Sequence, residues 1–226
     1  VLPGADLAAA VKATLASCML NSGQTCSATT RLLVPREALA ETEAIISALL
    51  EGFRMGDPAD GATRLGPLAS RAQQRKVMDF VAQALAAGAR RVGPATQAPA
   101  HGFFVPATVL ADVTPDMAIA REEVFGPVLC LMGYDTPDQA IALANGTDYG
   151  LAATVWGPVS AGTLAVGRRI RAGQVDINGA PFNPAAPFGG FGKSGIGREN
   201  GRYGIEEFVE PVSLQLPAAF NEFAPQ

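Results

Sequence analysis

The sequence is poor in the residues that build metal and redox centres. Its 226 residues include one histidine, one tryptophan and three cysteines. Cys18, Cys26 and Cys130 are odd in number, widely spaced and form no Cys-x-x-Cys pair. That argues against a disulfide framework and for a reducing compartment, so the expected location is cytoplasmic. It also leaves no donor set for zinc, and no metal is expected. His101 stands in Ala-Pro-Ala-His-Gly, a turn composition, and reads as a solvated loop residue. Basic residues are not in excess: 17 Lys and Arg against 21 Asp and Glu leave a formal charge of −4. They are scattered, which argues against a nucleic-acid surface. No apolar run approaches a membrane span, and no charged region with a cleavage site opens the chain. Beginning at Val1, the sequence reads as a processed chain or a fragment.

What is present suffices for a sizeable core, since 48% of the residues are hydrophobic. Leu7, Val11, Leu15, Cys18 and Met19 recur at helical spacing over residues 5–20, with Asp6 as N-cap. The β-branched and apolar run 29–34 reads as a strand. Helices follow at about 35–53 and 70–87, then a Pro/Gly/Ala-rich loop, a strand at 103–110 interrupted by Pro106, and an apolar strand at 128–132. From Thr136 the pattern alternates: helix 137–144 with Thr136 as N-cap, strand 151–156, helix 161–170, strand 174–177. Alternation with mostly apolar strands predicts an α/β, three-layer domain built on a mostly parallel sheet. A last helix at about 198–208 precedes an apolar strand, Val212 to Leu216. The expected division is a thiol-bearing domain over 1–209 and a C-terminal arm over 210–226.

Asn21-Ser22-Gly23-Gln24-Thr25-Cys26 joins the first helix to the first strand. Asn21 and Gly23 tolerate the left-handed conformation that ends a helix. A thiol at such a junction is held in place yet open on one side, and its backbone N–H can face a developing oxyanion. A catalytic thiol also needs a nearby base or a depressed pKa. Most free cysteines are instead small buried apolar residues, and the hexapeptide alone leaves both readings open.

Three other segments stand out. Gln73 and Lys76 belong to a polar, cationic first half of the helix at 70–87, where positive charge opposes the helix dipole. A solvated face explains that, and so does contact with a polar or anionic ligand. Arg121-Glu122-Glu123-Val124-Phe125-Gly126-Pro127 places two carboxylates before an aromatic and a turn. Residues 179–195 are rich in glycine and proline. There Gly190, Gly192 and Gly195 match G-x-G-x-x-G, but a proline-rich loop precedes them where the nucleotide motif needs a strand. Gly192-Lys193-Ser194 resembles the end of a P-loop, but Pro187 occupies the place of its first glycine.

In order, these motifs together with Gly56-Asp57-Pro58, Gly66-Pro67-Leu68, Pro187-Phe188-Gly189-Gly190 and Ser194-Gly195-Ile196-Gly197-Arg198-Glu199 resemble the C-terminal, catalytic half of the NAD(P)-dependent aldehyde dehydrogenase superfamily. The resemblance covers Val1 to about Leu216. It implies that Cys26 is the nucleophile and that Glu123 binds the nicotinamide ribose, with Phe125 packed beside it. It places Gln73 and Lys76 as polar cofactor contacts, and Phe182 and Phe188, with Met19 nearby, along an apolar aldehyde tunnel. The implied cofactor is NAD or NADP, and the implied partners are a small aldehyde and further copies of the chain in a dimer or tetramer.

The same resemblance implies that the dinucleotide-binding domain, the oxyanion-hole asparagine and the water-activating glutamate lie in a half not present here, so the chain alone is expected to be inactive. The competing expectations are a silent oligomerisation module of the same fold, a cofactor-free thiol hydrolase, and a variant that passes its acyl group to coenzyme A. Cys18 and Cys130 are assigned packing roles.

Overall fold

In the computed structural model, which describes residues 1–223, the chain folds around two small sheets. Helix α1 (Leu7–Met19) starts where Asp6 accepts the Ala9 N–H at 2.9 Å. Strand β1 (Arg31–Pro35) leads to α2 (Leu39–Leu50). Helix α3 (Arg71–Ala86) follows, capped by Ser70, which accepts the Gln73 N–H. Then come β2 (Arg90–Val92), β3 (Thr108–Ala111), the short α4 (Ala118–Arg121) and β4 (Val128–Tyr134). Helix α5 (Pro137–Ala144) opens on the expected Thr136 cap. Strands β5 (Ala152–Val155) and β6 (Gln174–Ile177) flank α6 (Ala161–Gly167), and α7 spans Gly201–Glu206.

The first sheet has the order β1-β4-β3-β2, with β1, β4 and β3 parallel and β2 antiparallel to β3. Its central strand β4 is apolar on both faces because both are covered. Leu129 and Leu131 join Leu32, Val34 and Val109 in a core with Val11 and Leu15 of α1 and Ile46 of α2. On the other face, Val128, Cys130 and Met132 pack with Leu110 against Val77 and Val81 of α3 and Ile119 of α4. Helices therefore sandwich the sheet in three layers, as the alternation predicted. Each fully buried Val or Leu contributes roughly 1.5–3 kcal/mol, so this half of the molecule carries most of the fold. β5 and β6 form a separate parallel pair.

Three expectations need correction. Arg90–Val92 is a strand within the stretch read as loop; it is short, and its register with Val109–Ala111 supplies the order that composition hides. The strand expected from Phe103 begins only at Thr108, since Pro106 has no N–H to give a ladder. The strand expected at Val212–Leu216 is not formed: the segment is irregular, with Val212 82% and Leu214 79% exposed. A strand needs a pairing partner, and among the described residues no strand pairs with this segment. Residues 224–226 of the expected arm lie outside the described residues.

Candidate active site

Between α1 and β1 the chain reverses through a tight turn, Leu20–Gly23. Asn21, Ser22 and Gly23 all take left-handed backbone angles (φ 51°, 55° and 74°). Only glycine fits the third place, because a Cβ there would lie 2.1 Å from the Gly126 carbonyl oxygen. The polar residues of the hexapeptide fix the loop. Ser22 Oγ donates to Gly66 O (2.9 Å), Gln24 Oε1 accepts the Ala69 N–H (2.9 Å), and Asn21 Nδ2 donates to Gln24 O (3.1 Å). Cys26 is left exposed at the end of this scaffold. Among the described residues no acceptor takes its backbone N–H.

The other two thiols are closed off. Cys18 is fully buried and donates to Val128 O, and burial pushes its pKa well up. Burial pushes Cys130 up to about 12, with nearby Arg31 opposing the shift. Both lie within the core clusters and play the packing roles expected of them.

Facing the Cys26 loop is the turn 122–127, held from behind by α3. Gln73 Nε2 donates to Val124 O (3.0 Å) and Phe125 O (2.7 Å), and Lys76 Nζ donates to Glu123 O (2.8 Å). Three consecutive carbonyls are thus taken by two residues one helical turn apart. The polar ligand that this cationic helix face meets is the chain's own backbone. The clamp has a reason, since Phe125 adopts φ 56°, a left-handed angle unusual for a bulky residue. Such a conformation costs on the order of 1–3 kcal/mol and persists only where its surroundings enforce it. Glu123 is exposed, not the buried acid its aromatic neighbour suggests, and its carboxylate makes no ion pair among the described residues.

Thr25, Cys26, Glu123 and Phe125 line one cavity of about 250 Å³. Gln73 and Lys76 lie behind it. Phe182 and Phe188 do not line it; their rings meet edge to face, centroids 6.0 Å apart, and Phe182 is 56% exposed. Met19, expected beside an apolar tunnel, is buried in the α1–sheet core. Arg31, the cation nearest Cys26 in sequence, caps α5 by donating to Leu143 O (2.8 Å) and Ala144 O (2.7 Å). His101 is exposed and does not line the cavity. No cluster of His, Cys, Asp and Glu among the described residues suits a metal, and no helix there is long and apolar enough to cross a membrane.

One anchoring feature escaped the sequence reading. The glycine-rich run that imitates nucleotide motifs is pinned beside the cavity. Ser194 Oγ accepts the Gly150 N–H (3.1 Å), the Lys193 N–H donates to Asp148 O (2.8 Å), and Lys193 Nζ pairs with the Asp148 carboxylate (2.9 Å). That ion pair raises the Lys193 pKa and lowers that of Asp148. No local signal announces it, because the partners are more than forty residues apart.

With this geometry in place, comparison with known proteins is decisive. Residues 1–214 match the aldehyde dehydrogenase family. The chain belongs to that family. It is 43% identical over 217 residues to a 3-succinoylsemialdehyde-pyridine dehydrogenase from Pseudomonas, a match covering 93% of this chain and 45% of that protein. Among solved structures, an aldehyde dehydrogenase from Mycobacterium tuberculosis complexed with NAD+ superposes with a TM-score of 0.90 at 42% identity, over 96% of this chain and 45% of that one. A mutant of aldehyde dehydrogenase C from Pseudomonas syringae, complexed with NAD+ and octanal, gives 0.88 at 45% identity over 92% of this chain and 44% of that one. The chain therefore spans slightly under half the length of these relatives.

Proposed function

We propose that the chain is the thiol-bearing, C-terminal catalytic portion of an NAD(P)-dependent aldehyde dehydrogenase that oxidises an aldehyde to a carboxylic acid. The observation that carries this reading is the meeting of Cys26 and Glu123 on one cavity, each on a turn whose backbone is fixed by distant side chains.

The Cys26 thiolate attacks the aldehyde carbon. A C–S bond forms, the carbonyl electron pair moves to oxygen, and the Cys26 N–H is available to hold that alkoxide. A dinucleotide fits the residues opposite: the Glu123 carboxylate, which makes no ion pair among the described residues, would accept hydrogen bonds from the hydroxyls of a ribose, and Phe125 would give an apolar surface beside it. When bound, a nicotinamide supplies the hydride acceptor. Oxidation at the same carbon leaves a thioester on Cys26. Water then adds to the acyl carbon, the C–S bond breaks, the acid leaves and the thiol is restored.

Hydrolysis needs a positioned general base; among the described residues the carboxylates lining the cavity are Glu122 and Glu123, Glu123 is taken by the ribose reading, and the base is assigned to neither. That base, and the adenosine site, belong to the remainder of a longer protein that assembles as a dimer or tetramer. The NAD+ complexes of the related structures support the cofactor. The test is production of NADH or NADPH from a panel of aldehydes by the longer protein, with the 226-residue chain assayed beside it. Turnover by the longer protein alone is expected. Its absence there, together with slow alkylation of Cys26, overturns the reading in favour of a silent module.

A further inference from the structure

The turn that bears Glu123 and the tip of the glycine-rich loop reach the same cavity. Arg121 and Glu122 line it from the turn, and Tyr149, Gly150 and Ser194 line it where the loop docks. The docking is close. The Phe191 N–H donates to Gly150 O (3.0 Å) and the Lys193 N–H to Asp148 O (2.8 Å). Gly192 lies between them at φ 61°, and a Cβ there would sit 2.2 Å from Asp148 O. Lys193 Nζ then meets the Asp148 carboxylate at 2.9 Å and stands 5.9 Å from the centre of the Tyr149 ring. The Gly192-Lys193-Ser194 run that imitates a P-loop is therefore no phosphate cradle. Its lysine is paired, and its hydroxyl accepts the Gly150 N–H.

The turn, by contrast, is held through its backbone. Gln73 and Lys76 take its carbonyls, and the Glu122 N–H donates to Ala118 O (2.8 Å). Among the described residues the side chains of Arg121 and Glu122 make no hydrogen bond or ion pair. They do lie within electrostatic reach of the docked tip. The Lys193 hydrogen bond and charge lower the Asp148 pKa, and Arg121 and Arg171 add to that. The Asp148 hydrogen bond and charge raise the Lys193 pKa, and Glu122 adds to that. Arg121, Asp148, Lys193 and Glu122 thus alternate in sign across three segments of the chain, with one direct contact among them.

We propose that this alternating set fastens the Glu122–Glu123 turn to the glycine-rich loop, which makes Lys193 and Asp148 positioning residues for the carboxylate that meets a dinucleotide ribose.

The proposal rests on the ribose reading of Glu123. Lys193 and Asp148 are 54% and 68% exposed, and pairs so exposed add little to stability. Their effect is therefore on position. The backbone of the turn is clamped by α3, and the alternating charges are what acts on its side chains from the loop. The arrangement also has a polarity. Asp148 stands near two arginines and Lys193 near a carboxylate, so exchanging the two residues keeps their contact and makes both sets of neighbours repulsive.

That exchange, Lys193→Asp with Asp148→Lys in the longer protein, is the test. The readout is Kd for NADH or NADPH, followed by its fluorescence, so turnover is not required. At low salt the exchanged protein is expected to bind about threefold or more weakly than the wild type. Lys193→Arg is expected to bind as the wild type does. At about 1 M salt, where the screening length falls to about 3 Å, the difference should shrink, because attraction in one protein and repulsion in the other are both removed. The urea midpoint should move little. An exchanged protein that binds as well as the wild type overturns the proposal and leaves the ribose reading standing. So does a deficit that ignores salt, which would mark a structural defect. A wild type that binds neither dinucleotide defeats both.

Discussion

The loop that ends at Cys26 and the loop that carries Phe182 read alike as sequence, each a turn-rich stretch beside a strand. The fold treats them differently. Around Cys26 the restraints come from far along the chain: Gly66, Ala69 and the Gly126 backbone all touch the turn, and α3 holds the facing carbonyls. Around Phe182 the side-chain hydrogen bonds are local. Ala180 N–H donates to Ile177 O, and Asn183 accepts from Ala185 and Ala186. The difference teaches that a polar residue in a thiol-bearing loop can serve geometry before chemistry. Asn21, Ser22 and Gln24 are all bonded to backbone groups, which leaves the thiol as the loop's one chemically open side chain.

The sharpest test of that contrast separates the three thiols. Cys26→Ser in the longer protein is expected to lower kcat by ~10⁴-fold or more, as loss of a nucleophile does. Cys18→Ala and Cys130→Ala are expected to keep kcat within a few-fold and to cost about 1 kcal/mol each for the small cavity left behind. Steady-state kinetics and urea unfolding read the two effects. Equal losses of activity from all three would remove the distinction.

Next in size is the support beneath the loop. Gly23→Ala places a methyl against the Gly126 carbonyl at a left-handed backbone angle. Backbone cannot swing aside as a flexible side chain does, so a loss of about 3 kcal/mol is expected. Urea unfolding measures it, and Cys26 alkylation should change rate as the loop shifts. An unchanged midpoint would mean that the two turns are not packed as described.

A smaller effect is expected from Gln73→Ala, which removes two bonds to the carbonyls of Val124 and Phe125. At about 1 kcal/mol for each bond, the turn bearing Glu123 loosens. KM for the dinucleotide should rise about tenfold or more, with kcat changing less. A purely structural role would lower the unfolding midpoint and leave KM alone.

How much of this was legible depends on the range of the interaction. The caps at Asp6 and Thr136, helix 137–144 and strand 174–177 follow from local pattern and occur where expected. Two-sided burial of β4 was readable from its unbroken apolar run. Cys26, Glu123 and Phe125 were found as motifs, and the fold brings them to one cavity. What sequence could not supply was the destination of side chains bonding across forty or more residues: Gln73 to the 124–125 carbonyls, Arg31 to the end of α5, Ser194 to Gly150. Each is a polar residue whose partner is backbone, and a backbone acceptor leaves no mark on composition. Val212–Leu216 failed for a related reason. Its apolar alternation is a genuine strand signal, but among the described residues no strand pairs with it.

The smallest effect should come from the Phe182 loop. With its ring more than half exposed and touching Phe188 edge to face, Phe182→Ala is expected to change stability by no more than about 0.5 kcal/mol. Edge-to-face pairs are worth about 0.5–1.5 kcal/mol when buried, and solvent already claims much of this one. The informative readout is therefore substrate selectivity. If the loop borders the aldehyde's path in the longer protein, kcat/KM for long aliphatic aldehydes should fall relative to short ones while Cys26 alkylation stays constant. If both stay constant, the apolar pair serves neither stability nor substrate, and the contrast between the two loops becomes one between a working loop and a connecting one.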